Sequence, residues 1–153
     1  MSAAYLFDTN SLIYFYQGRS LKVIQWLDSG LPCFISNLTI LELRSTLATW
    51  VRDREVPFNT ASYKVMDKRF SYDISSLGRL RIQRVRRRFV AHCTRLIEEH
   101  GLTHKRGLHT LDALQLSAAI DLGSRYPNLV WITADRALAA LAPHEGIAAE
   151  SPL

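Results

Sequence analysis

Tyr5-Leu6-Phe7-Asp8-Thr9-Asn10 reads as a short apolar strand that delivers one carboxylate and two small polar side chains into a turn. The apolar residues that follow, Leu12, Ile13 and Phe15, are spaced for a helix rather than for a second strand. A carboxylate at the end of a buried strand is in a costly place. Its desolvation destabilises the fold unless it is paired, hydrogen-bonded or bound to a cation. In open α/β sheets the same place, outside the carboxyl ends of the strands, is where ligands bind.

Outward from this stretch, strands and helices alternate. Residues 21–27 have helical spacing and stop at Asp28-Ser29-Gly30. Pro32-Cys33-Phe34-Ile35 is a β-like run, and Ser36 and Asn37 offer N-caps for a helix to about residue 52. Asn59-Thr60 open another helix toward Tyr72. Leu80, Ile82 and Val85 alternate with Arg81, Gln83 and Arg84, which predicts a strand with one polar face. A helix over 89–99 closes at Gly101, and a polar loop, Thr103-His104-Lys105-Arg106-Gly107, follows. Thr110 is the expected N-cap of a largely buried helix reaching Ile120. Leu129-Val130-Trp131-Ile132 is a continuous apolar run typical of a central parallel strand. A helix over 136–141, a last strand near Ile147 and a frayed end complete the chain. This order predicts an α/β fold: a three-layer α/β/α sandwich with a central, mainly parallel sheet of four to five strands, in a single domain over 1–153.

Composition narrows the class. Of 153 residues 48% are apolar and 22% charged, which suits an ordinary globular core. No apolar run approaches the roughly 20 residues of a membrane span, and no secretory signal is visible at Met1-Ser2-Ala3-Ala4. Cys33 and Cys93 lack a CxxC spacing and read as buried thiols in a reducing compartment, so a cytoplasmic location is expected. The net charge of +5 favours phosphate-bearing or acidic partners. Six arginines lie between positions 79 and 88. They suit a solvated strand-and-helix face at least as well as a nucleic-acid contact, and an acidic protein partner is a third reading.

Four carboxylates can reach one sheet edge. Asp8 and Asp135 end strands, and Glu42 and Asp112 lie near helix starts. Each has a structural alternative: pairing with a helix dipole for Glu42 and Asp112, or capping the 136–141 helix for Asp135. The small neighbours of Glu42, Thr39, Ser45 and Thr46, leave room for something to approach. Carboxylates gathered at one point repel and have raised pKa values unless a cation is present. All-oxygen ligands suit a hard divalent ion, Mg²⁺ or Mn²⁺.

The chain resembles PIN-domain ribonucleases of the VapC-like toxin class. The resemblance rests on Phe7-Asp8-Thr9-Asn10, on Glu42 in Leu-Thr-Ile-Leu-Glu-Leu, on Asp112 in Leu-Asp-Ala-Leu-Gln-Leu-Ser-Ala-Ala, and on Asp135 in Ile-Thr-Ala-Asp-Arg-Ala-Leu. It implies a metal-dependent phosphodiesterase acting on RNA, often a homodimer, with a small antitoxin that blocks the acidic site. Asp8, Glu42 and Asp112 match the three principal acidic positions and Asp135 the more variable fourth. Thr133 and Asn10 match polar positions beside the site. On this basis Asp8, Glu42, Asp112 and Asp135 hold the metal, which activates a water and stabilises the phosphoryl charge. Thr133 and Asn10 orient the ligands from behind, and Arg44 and Arg136 contact RNA phosphates. The loop before Asp112 is longer, and the arginine-rich strand heavier, than the resemblance leads one to expect.

Two other functions compete. One is a non-catalytic PIN-like module that binds RNA or protein. The other is an aspartyl-phosphate phosphatase, disfavoured because Asn10 stands where that chemistry usually needs a second Asp. His100, His104 and His109 lack nearby Cys partners, so zinc is not expected. Trp26, Trp50 and Trp131 fall on apolar faces and are expected in the core.

Overall fold

A computed structural model describes residues 3–53, 57–102 and 108–153. The expected loop at 103–107, with His104, lies outside the described residues. Among these residues five strands form one sheet: β1 (Ala3–Phe7), β2 (Cys33–Ser36), β3 (Leu80–Gln83), β4 (Asn128–Ile132) and β5 (Ala148–Glu150). Their order is β3-β2-β1-β4-β5, and every pairing is parallel. The α/β architecture predicted by the alternation is therefore present, with an all-parallel sheet.

Among the described residues seven α-helices connect the strands: α1 (Thr9–Tyr16), α2 (Leu21–Leu27), α3 (Asn37–Asp53), α4 (Thr60–Asp73), α5 (Phe89–Leu96), α6 (Thr110–Gly123) and α7 (Arg136–Leu141). The two faces of the sheet carry separate cores. On one, Phe7, Ile35, Leu80 and Ile132 pack against Leu12, Val23, Leu43, Leu47 and Phe70 of α1–α4. On the other, Leu6, Phe34, Leu129 and Trp131 pack against Leu96, Leu116, Leu122, Leu138 and Leu141 of α5–α7. Alternate side chains of β1 thus enter different layers, the period of an extended chain. Trp131 is buried, and Trp26 and Trp50 pack half-buried against the first core.

Some local expectations change. The 89–99 helix ends its α-helical part at Leu96 and continues as a wider π turn over Ile97–Gly101. His109, in an extended conformation, occupies the N-cap position before α6, so Thr110 is the first helical residue. On β3 it is Gln83 that is buried and Ile82 that is exposed. The amide of Gln83 donates to Asp121 at 2.9 Å, which offsets its desolvation, and Ile82 sits on an edge strand. The C-terminus is not frayed. Ser20 donates to the carbonyl of Pro152, and Lys22 reaches that of Leu153 at 2.7 Å.

Candidate active site

Because all strands are parallel, Asp8, at the end of β1, opens on the same edge as the residue after β4. The Asp8 side chain is only 6% exposed. Its Oδ1 accepts from the Ser11 N–H at 2.7 Å, so Asp8 also caps α1, and lies 2.6 Å from the Ser11 hydroxyl. Its Oδ2 accepts from the Thr133 hydroxyl at 2.6 Å and from the Ala134 N–H at 3.2 Å. Burial pushes the carboxyl above its usual range, and these donors offset it only in part. Ser11 has one hydroxyl proton and two acceptors, since the Ile132 carbonyl is 2.8 Å away. It can turn from Asp8 to that carbonyl without losing a hydrogen bond.

Glu42 projects from α3 toward Asp8. Thr9 and Gln115 both donate to its Oε2, at 2.6 and 2.7 Å, so Oε1 has no donor among the described residues. Burial first, and then the charges of Asp8 and Asp112, raise its pKa. Asp112, in the first turn of α6, is raised by burial and then by the charge of Asp135. Asp135 caps α7 as its position suggests: Oδ1 accepts from the N–H groups of Ala137 at 2.7 Å and Leu138 at 3.0 Å. Its Oδ2 has no donor among the described residues.

Glu42 feels the charges of Asp8 and Asp112, and Asp112 feels that of Asp135, so the four carboxylates are neighbours in a row, Asp8–Glu42–Asp112–Asp135. They do not close into a cage. Among the described residues no three of them bring an oxygen each within 4.8 Å of one another. Beside Glu42 opens a cleft of about 470 Å³, lined by Thr9, Asn10, Leu38, Leu41, Ser45 and Leu111. Asn10 is exposed in this cleft and donates to none of the four carboxylates among the described residues. Thr133 touches Asp8 directly. Arg44 points away: its Nε pairs with Asp67 of α4 at 2.7 Å, and it also reaches Ser71. Arg136 is exposed and unpaired among the described residues.

The donor set fits a hard divalent cation. It is all oxygen, it keeps unused carboxylate oxygens on Glu42 and Asp135, and burial holds Asp8, Glu42 and Asp112 above their ordinary pKa, with neighbouring carboxylate charge adding to this at Glu42 and Asp112. The tightest other grouping is Glu99, His100 and Glu145, near Asp112 and Asp135. There Arg95 bridges both glutamates and His100 Nε2 lies 2.8 Å from Glu145 Oε1. Arg95 already supplies the positive charge and holds the Glu145 carboxyl below its usual range.

Sequence reading gives Ser11 and Gln115 no role at the site, and gives Thr9 only a place among the small polar side chains of the turn. Gln115 left a signal, as an amide between the apolar residues Leu114 and Leu116 of α6. The partner that explains it lies 73 residues away.

The raised carboxyls set a pH dependence. A group that keeps its proton longer when folded contributes stability below its unfolded pKa and loses it as pH rises through the folded one. Glu42→Gln, which takes up no charge, should therefore lose less stability than the wild type as pH climbs from 4.5, the ordinary glutamate value, toward neutrality in EDTA. Parallel thermal-melt curves for the two proteins would contradict this.

Comparison with known proteins places these features. The family model of the PIN domain matches residues 5–144. No curated protein matches the sequence. Among solved structures, FitAB bound to an IR36 DNA fragment is 21% identical with a TM-score of 0.69, covering 97% of this chain and 94% of that one. FitAcB from Neisseria gonorrhoeae is 22% identical with a TM-score of 0.68, covering 97% of both chains. DNA-bound VapBC from Salmonella typhimurium is 19% identical with a TM-score of 0.65 and full coverage of both chains. These similarities show a shared fold.

Proposed function

Because the chain belongs to the PIN-domain family, a family of nucleases, we propose that it is a Mg²⁺- or Mn²⁺-dependent endoribonuclease, a single-domain cytoplasmic toxin of a toxin–antitoxin pair. The observation that carries this reading is the row of four carboxylates on one sheet edge, with open oxygens on Glu42 and Asp135. A divalent ion bound there would act as a Lewis acid and lower the pKa of a water. Glu42, Asp112 and Asp135 would hold it, and Asp8 would join once the Ser11 hydroxyl turns to Ile132. Thr9 and Gln115 fix the Glu42 carboxylate, and Thr133 fixes that of Asp8. Asn10, in the cleft, meets the substrate or a ligand water. Arg136 is open to a phosphate, whereas Arg44 becomes so only by leaving Asp67.

A small antitoxin and a second copy of this chain are the proposed partners. The solved structures of similar fold include a toxin–antitoxin complex from Klebsiella pneumoniae. Among the described residues no helix is long and apolar enough to cross a membrane.

The test is cleavage of a mixed RNA pool by the purified chain. Cutting is expected with Mg²⁺ or Mn²⁺ and is expected to disappear in EDTA. RNA binding without cutting, in either metal, would replace this reading with the non-catalytic module.

A further inference from the structure

We propose that Arg84, Arg86 and Arg87, in the turn after β3, form a phosphate track that leads single-stranded RNA toward the acidic cleft. The proposal rests on the ribonuclease reading and names how that site meets its substrate. β3 runs parallel to β2 and pairs Gln83 with Ser36, so the turn leaves the sheet on the edge where β2 delivers α3. The Val85 N–H donates to Asn37 Oδ1, the first residue of α3, at 2.9 Å. The same helix carries Leu38, Leu41 and Glu42 of the cleft wall. The basic turn is thus pinned to the helix that bears the site.

The arginines of 79–88 differ in their state. Arg79 is neutralised by Asp28 and Asp73, and Arg88 by Asp121. Arg84, Arg86 and Arg87 are exposed and form no ion pair among the described residues. No acidic residue occupies the first turn of α5, which begins at this point. Arg81, also unpaired, lies on the edge strand, where a charge serves to block pairing with another sheet.

An acidic site that takes a polyanion has an electrostatic problem. Its carboxylates repel the phosphates flanking the scissile bond, so cations must sit nearby. Arg44 is occupied by Asp67. Arg84, Arg86 and Arg87 supply such cations beside the start of α3, as Arg136 does at the start of α7. Within 84–88 only Val85 is apolar. A run of exposed guanidinium groups in which successive side chains carry the same charge suits the repeating charge of a phosphate backbone.

The experiment uses the full chain and a fluorescein-labelled oligouridylate. Anisotropy in EDTA across a range of KCl gives the salt dependence of binding, and steady-state cleavage in Mn²⁺ gives kcat and KM. Each phosphate contact on a single strand contributes about 0.7 to the slope of log affinity against log salt. The Arg84→Gln/Arg86→Gln/Arg87→Gln variant should have a slope shallower by about 2, a KM raised roughly tenfold or more, and an unchanged kcat. Arg81→Gln should match the wild type in all three. A thermal melt checks that the triple variant, which breaks no ion pair, is folded. An unchanged slope and KM would overturn the track and leave the nuclease reading standing. The expected slope change without any cleavage by wild type would support the track and overturn the nuclease. Tighter binding of labelled oligoglutamate than of RNA, lost in the triple variant, would overturn the track in favour of an acidic protein partner. Absence of RNA binding by the wild type would overturn the track, and cleavage of the mixed RNA pool in Mn²⁺ would decide the nuclease reading separately.

Discussion

Asp112→Asn is expected to lower RNA cleavage by roughly a hundredfold or more, since a metal site supplies several kcal/mol of charge stabilisation, while thermal stability stays close to wild type. Asp112 is half-buried in the first turn of α6, and its carboxyl is raised by burial and by the charge of Asp135. Removing the charge relieves that repulsion. Asp8→Asn, by contrast, should lose activity and stability together. Both Asp8 oxygens accept backbone N–H groups, from Ser11 and from Ala134. An amide has one acceptor oxygen, so its NH₂ must face one of these donors. A buried N–H left unmatched costs about 1–3 kcal/mol. Cleavage by single turnover, beside a urea melt of each variant, separates the two. Full activity in Asp112→Asn would remove that residue from the chemistry. A stable Asp8→Asn would mean that the Asp8 hydrogen bonds contribute little to the fold.

Trp131→Ala should be the most damaging of the core truncations, costing about 3–5 kcal/mol. A domain of this kind has only about 5–15 kcal/mol of stability in total, so much of it would go. Trp131 is 1% exposed, lies beside Leu6 in the sheet register and packs against the helices of the second layer. The same strand delivers Thr133 and Ala134 to Asp8, so a shift of β4 also disturbs the site. Urea denaturation followed by circular dichroism measures the loss. A change below about 1 kcal/mol would show that the site collapses around the vacancy.

The element order, and through it the parallel sheet, is written in the chain's local pattern. Those signals are local: an apolar run with no polar interruption at Leu129–Ile132, helical spacing in Ile40, Leu43 and Leu47, and a capping carboxylate at Asp135. The sequence also indicated that Asp8, Glu42, Asp112 and Asp135 could reach one edge, because a parallel sheet puts every strand's carboxyl end there. Only the tertiary structure decided what each group does on arrival. It took Arg44 away to Asp67, buried Gln83 against Asp121 and saturated Asp8 with hydrogen bonds. It also pinned the arginine turn to the start of α3. It left one Glu42 oxygen open by placing Thr9 and Gln115, which are distant in sequence, on the other. Periodicity records which face of an element is dry. It carries no record of which distant polar group will meet a side chain there, and that pairing sets the free energy of a buried charge.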